Sequence, residues 1–163
     1  MIPKGSLYND KTRNGGEVAG HHGGMVITTG TAEGAIPFGR GIVKGTSENR
    51  VKLPASADDT FRGIAGFSFD AGNLDEETYT DADPVAVCKV GVFSVYFEEE
   101  IAEGAPVRLR IANSGSKKAG DFCTSAEAGK TVKLTNVEVT YGTSGPGFGV
   151  IRIDGAVAMT ADS

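Results

Sequence analysis

The chain has 163 residues, a formal charge of −5, 39% hydrophobic residues and no Trp; that length favours one compact domain with some peripheral chain. Lys and Arg are scattered among an excess of acids, which argues against a nucleic-acid partner, since phosphate binding asks for a basic face or stripe. No apolar run approaches the ~20 residues of a bilayer span, and Met1 to Tyr8 lacks the apolar core of a signal peptide, so no membrane role and synthesis in a cytoplasm are expected.

From residue 1 to about residue 35 the chain is polar and studded with glycine, including Gly15-Gly16, Gly20, Gly23-Gly24, Gly30 and Gly34. Its one apolar cluster is Met25-Val26-Ile27, too little to bury much surface. Residues 1–35 are therefore expected to form an extended N-terminal arm, ordered only where it lies on a partner or on the body. Leu7, Tyr8, Arg13, His21 and His22 are its candidate contacts, because Tyr and Arg offer large area with directional polar groups. Fully extended, an arm of about 30 residues could reach ~100 Å.

Residues 36–163 read as a β-rich body. Short alternating runs recur: Phe61 to Phe69 with Phe61, Ala65, Phe67 and Phe69 on one face, and Val92 to Phe97 with Phe93, Val95 and Phe97. In Val107 to Ile111 the aliphatics point one way and Arg108 and Arg110 the other. Val51 to Leu53, Val85 to Val87, Val132 to Leu134, Val137 to Val139, and Val150 to Ile153 followed by Val157 to Met159 repeat the pattern. Turn residues separate them, and Asp154-Gly155 between two apolar runs predicts a hairpin. No segment keeps a helical period over three turns; the best candidate, Asn73 to Tyr79, is short and acidic. The fold class expected is all-β, a small barrel or sandwich carrying a Gly-rich arm.

Tests for chemistry return little. His21 and His22 are the only histidines, and neighbours on an extended chain point to opposite sides, which disfavours a shared metal. Both lie in the arm, so a Ser-His-Asp set on the body is unavailable, and no G-x-S-x-G elbow occurs. Gly145-Pro-Gly147-Phe-Gly149 sits between strand-like runs and lacks a lysine, so it reads as a turn, not a phosphate loop. Glu98-Glu99-Glu100 and Asp75-Glu76-Glu77 read as solvated acidic turns without the spacing of a calcium loop. Cys88 and Cys123 stand in strand-like contexts and are expected as reduced core residues, a disulfide requiring their Cα atoms within about 7 Å. No cofactor, metal or enzymatic activity is expected.

Three stretches carry a resemblance. Ile36-Pro-Phe-Gly-Arg-Gly-Ile-Val-Lys-Gly45, Val51-Lys-Leu-Pro54 and Phe61-Arg-Gly-Ile-Ala-Gly-Phe67 resemble the structural cement (capsid decoration) proteins of tailed bacteriophages. Pro84 to Val87, Lys89 to Val95 and Ile101 to Arg110 look like the same family's strand–Gly–strand unit, and Gly149 to Asp154 like its last strand. The likeness covers about Ile36 to Ile153 and implies a β-rich body, a virion location on the outer capsid surface, and synthesis in the host cytoplasm. It also implies the major capsid protein as partner at capsomer junctions, and self-association, a trimer favoured. The competing reading is a carbohydrate-binding β-module, weakened because sugar sites stack on exposed aromatics and this chain has no Trp and four Tyr.

Overall fold

The computed structural model describes residues 14–68 and 76–163. Among them there is no helix, as expected for an all-β chain. The first strands in chain order are β1 (Val26–Ala32), β2 (Ile36–Pro37), β3 (Gly41–Lys44), β4 (Arg50–Lys52), β5 (Phe61–Ala65), β6 (Thr78–Tyr79) and β7 (Pro84–Phe97). They are followed by β8 (Arg108–Arg110), β9 (Phe122–Cys123), β10 (Thr131–Leu134), β11 (Val137–Tyr141), β12 (Gly147–Ile153) and β13 (Met159–Ala161).

Five of these strands close on themselves. β1 pairs with β4 in parallel, β4 with β3, β3 with β5, β5 with β7, and β7 returns antiparallel to β1. Closure removes most of the edge that an open sheet of this size would expose. The barrel is filled by Ala32, Ile36, Phe38, Ile42, Val51, Ala65, Tyr79, Val85 and Val87. Phe38 meets Phe67 and Tyr79 edge-on, with ring centroids 5.6 and 4.9 Å apart, and the small β2–β6 ladder holds Tyr79 there. The buried Tyr79 hydroxyl donates to the Gly66 carbonyl at 2.5 Å, so the ring's polar end is satisfied inside the core.

β7 is 14 residues long and serves two structures. Up to Val90 it faces β1; from Gly91 to Phe97 it pairs with β12. The change of partner falls on Gly91, whose φ of +142° is open almost only to glycine, and just before it the register with β1 shifts, Val26 facing Val90 and Ile27 facing Cys88, so that Lys89 is bulged. β12 also pairs with β11, while β9, β8, β10 and β13 continue from the end of β7 through the Phe97–Phe122 pairing. Phe93, Val95, Phe97, Leu109, Phe122, Val132, Ile151 and Ile153 are among the residues of this second core.

Three sequence expectations are corrected here. Val26–Ala32, assigned to the arm on composition, is a barrel strand: its inward positions are Gly30 and Ala32, so small side chains hide the alternation that marks a strand. Asp154-Gly155 does not close a hairpin, because β12 pairs with β11 and β7 while β13 crosses to β10. Glu98 is not on a solvated turn; it is 7% exposed and paired inside the protein. Gly145-Pro-Gly147 does turn the chain between β11 and β12. Phe69 and Asn73 to Asp75 lie outside the described residues.

Candidate functional site

The segment before β1 lies on the body. Gly16 donates its amide to Ser94 O at 2.7 Å, Ser94 donates to Glu17 O at 2.9 Å, and Ala19 donates to Val92 O at 2.8 Å. Val18 thereby forms a bridge with Phe93, on the side of β7 that β12 leaves open. Two glycines make this approach possible. A Cβ on Gly15 would stand 2.5 Å from Phe38 O, and Gly16 combines a φ of +76° with backbone of Ala65 and Gly66 pressed against it. The Gly15-Gly16 pair that read as looseness in the sequence is therefore a close-packed crossing. Asn14 Nδ2 donates to Glu17 Oε1 at 2.7 Å and tightens the turn that enters it.

His22 fastens the other end of the segment. The Gly24 amide donates to its Nδ1 at 3.1 Å, so Nε2 carries the proton and donates to Asp154 Oδ1, also at 3.1 Å. Arg152 Nε donates to the same oxygen at 2.7 Å. Arg152 first and His22 second hold the Asp154 carboxyl below the usual carboxylate range. His21, by contrast, is exposed. The two histidines thus part as alternation required, one turned to the body and one to solvent. Leu7, Tyr8 and Arg13 lie outside the described residues.

Between these two fastenings and the start of β1, the surface is apolar. Val18, Met25, Val26 and Ile27 are 49, 47, 42 and 44% exposed, whereas the other large aliphatics among the described residues are buried or half-buried. Val26 opens onto a groove of about 400 Å³ bordered by Phe61, Val90 and Val157, and Ile27 onto one of about 340 Å³ bordered by Val18, Phe67, Ala86 and Cys88. Exposed aliphatic side chains that border two grooves in this way offer an interaction surface. The sequence signalled it through Met25-Val26-Ile27, the one apolar cluster of the expected arm and too small to bury much surface.

Other charged residues serve the interior. Arg110 is 1% exposed and reaches Glu98, while Glu127 Oε2 lies 3.0 Å from its Nη1. Arg40 Nε lies 2.8 Å from Asp121 Oδ1 and the Arg40 guanidinium stacks over Tyr96 at 4.1 Å from the ring centroid. Alternation reveals that Arg110 faces away from Leu109; it does not reveal that a second layer covers that face. Among the described residues, no three His, Cys, Asp or Glu side chains converge as a metal-binding set.

Comparison with known proteins fits this geometry. Residues 6–154 match the family described as Structural cement protein (E217 gp24/Pam3 gp6). The fold is similar to a chain of the capsid of Myoviridae Phage XM1, with a TM-score of 0.73 and 16% sequence identity, covering 91% of this chain and 94% of that one. Among curated proteins, none matches. The carbohydrate-binding reading gains no support from either similarity. The all-β body, the strand motifs from Ile36 to Ile153 and the match over residues 6–154 agree: the chain belongs to the phage structural cement protein family and has a capsid cement role in the virion.

Proposed function

We propose that the protein seats on the outer capsid surface where capsomers meet, as a homo-oligomer, with a trimer favoured, and that it stiffens the filled shell without turnover of any substrate. The observation that carries this reading is the exposure of the apolar side chains Val18, Met25, Val26 and Ile27 on β1 and the segment leading into it, beside β7. Such a surface costs solubility in isolation and is stabilised when a partner covers it, at roughly 25 cal/mol per Å² buried. Capsomer junctions have small subunit contacts, and an oligomer that bridges several subunits joins weak contacts into one attachment. Avidity of that kind exceeds a single contact by ~10²–10⁴.

Leu7, Tyr8, Arg13 and His21 are the proposed contacts of the N-terminal segment with capsid or sister subunits, and His22 contributes by anchoring that segment through Asp154. Two truncations test this. Removing residues 1–13 leaves the Gly16–Ala19 pairing with β7 and is expected to keep the melting temperature while lowering occupancy on capsids. Removing residues 1–24 also strips Val92 and Ser94 of their backbone partners and is expected to lower both. Occupancy unchanged in both truncations, together with unchanged occupancy in Met25→Asp/Ile27→Asp, would refute the proposed seating.

A further inference from the structure

The barrel has an open mouth ringed by cations. β4 pairs with β1 only at Thr31 and Ala32, so on that side the backbone of residues 26–30 has no strand partner among the described residues. The Thr31 amide donates to Asn49 O, and by strand alternation the Ile27 and Thr29 amides and carbonyls point the same way, into the gap. Behind the gap is a cleft of about 380 Å³ reached by Lys44, Arg50, Arg62 and Lys89, with Glu48 the one acid on its wall. Lys44, Arg62 and Lys89 form no salt bridge among the described residues, while Arg50 Nη1 lies 3.5 Å from Asp81 Oδ1 and donates to Ala32 O at 3.3 Å. A chain of net charge −5 thus gathers an excess of positive charge beside a stretch of barrel strand that, among the described residues, has backbone groups without a strand partner.

We propose that this mouth receives an extended acidic segment of a partner protein, which adds as a strand beside residues 26–30 and places its carboxylates against Lys44, Arg50, Arg62 and Lys89. The two features select the occupant together. An unpaired edge asks for extended backbone, which gives affinity through main-chain hydrogen bonds; the cations ask for carboxylates and steer their approach. A nucleic acid would satisfy the charge but has no amides to pair with Ile27 and Thr29. The inference rests on the reading that the chain seats on a protein shell, and names the chemistry of one contact.

The test uses the full chain and a ten-residue peptide of alternating Val and Glu, with a Val-Lys peptide, an N-methylated Val-Glu peptide and a short single-stranded DNA as comparisons. Binding of the Val-Glu peptide is expected, weakening with salt, with at least tenfold loss in Arg62→Glu/Lys89→Glu and a smaller loss in Arg62→Gln/Lys89→Gln. The N-methylated and Val-Lys peptides are expected to bind at least tenfold more weakly. Equal binding of the Val-Glu and Val-Lys peptides, or of the N-methylated form, would overturn the proposal. So would preferential binding of DNA, or no binding of Val-Glu, even where the same protein still occupies capsids. Failure of the wild-type chain to occupy capsids would instead count against the proposed seating.

Discussion

Glu98 and Arg110 meet as a two-pronged ion pair in the interior: Nε donates to Oε2 at 2.6 Å and Nη2 to Oε1 at 2.7 Å, with the two side chains 2 and 1% exposed. The pair ties the end of β7 to β8, and so ties the strand shared by both cores to the sheet that carries β10 and β13. The hydrogen bonds from Arg110 to Glu98 raise the guanidinium's already high pKa against the opposing effect of burial. Bidentate geometry of this kind is among the strongest that side chains form.

Removing one partner should therefore cost far more than removing both. Arg110→Ala leaves the buried Glu98 with Lys117, at 3.8 Å, as its only cation among the described residues, a loss of up to about 3–5 kcal/mol, and Glu98→Gln costs less because Glu127 still lies 3.0 Å from Arg110 Nη1. The joint replacement Glu98→Leu/Arg110→Met should recover most of that loss, because the desolvation cost disappears with the charges. Urea unfolding of the three variants checks this. Additive losses in the double variant would show that the pair is not coupled as the geometry requires.

Acid should weaken the fold through particular carboxylates. Burial pushes Glu99 upward, but the Ser125 and Thr124 amides and the Ser125 hydroxyl outweigh it and hold the group below the ordinary glutamate range. A depressed folded value means the unfolded chain takes the proton first. The stability Glu99 contributes is thus present above about pH 4.3, the unfolded value, and is lost as pH falls through the lower folded one. Asp121 has the opposite sign: burial raises it despite the Lys118 amide and Arg40, so its protonation on acidification favours the folded state. Unfolding measured from pH 6 to pH 3 should show a shallower acid loss in Glu99→Gln than in the wild type, and a steeper one in Asp121→Asn.

How much of this was legible in the sequence depended on whether a residue's role is local. Alternation placed Phe93, Val95 and Phe97 on one buried face, since a strand's period is a local property. It missed β1, where closure brings strands so near that Gly30 and Ala32 replace the large residues by which strands are recognised. The Asp154-Gly155 turn misled because the hairpin rule presumes that consecutive runs pair, whereas Asp154 is occupied by Arg152 and His22 and the chain crosses to β10. Glu100 is exposed as read, but Glu98 and Glu99 read as solvated because nothing local announces that Arg110 and the Thr124-Ser125 turn fold over them. The apolar patch was legible as three residues, Met25 to Ile27, but its flanking grooves are built from β5, β7 and the approach to β13.

The two thiols should be chemically silent while the protein is folded. Cys88 and Cys123 are buried and unpaired with each other, as the sequence led one to expect. Burial pushes the Cys88 thiol up to about 12, and desolvation raises Cys123 as well. Reaction needs the thiolate and access to it, so a thiol reagent at pH 8 should modify neither group in the native protein and both after denaturation. Prompt modification of one thiol under native conditions would show that the core around it opens.

The central claim is that this protein is a cement acting on the assembled shell, and capsid binding tests it most directly. Purified protein is added in increasing amounts to filled capsids that lack it, and bound copies per capsid are measured by co-sedimentation alongside the temperature at which packaged DNA is released. The account predicts binding that saturates at a fixed number of copies, with the release temperature rising in step with occupancy. Binding that never saturates, or saturation with no rise in the release temperature, would contradict it.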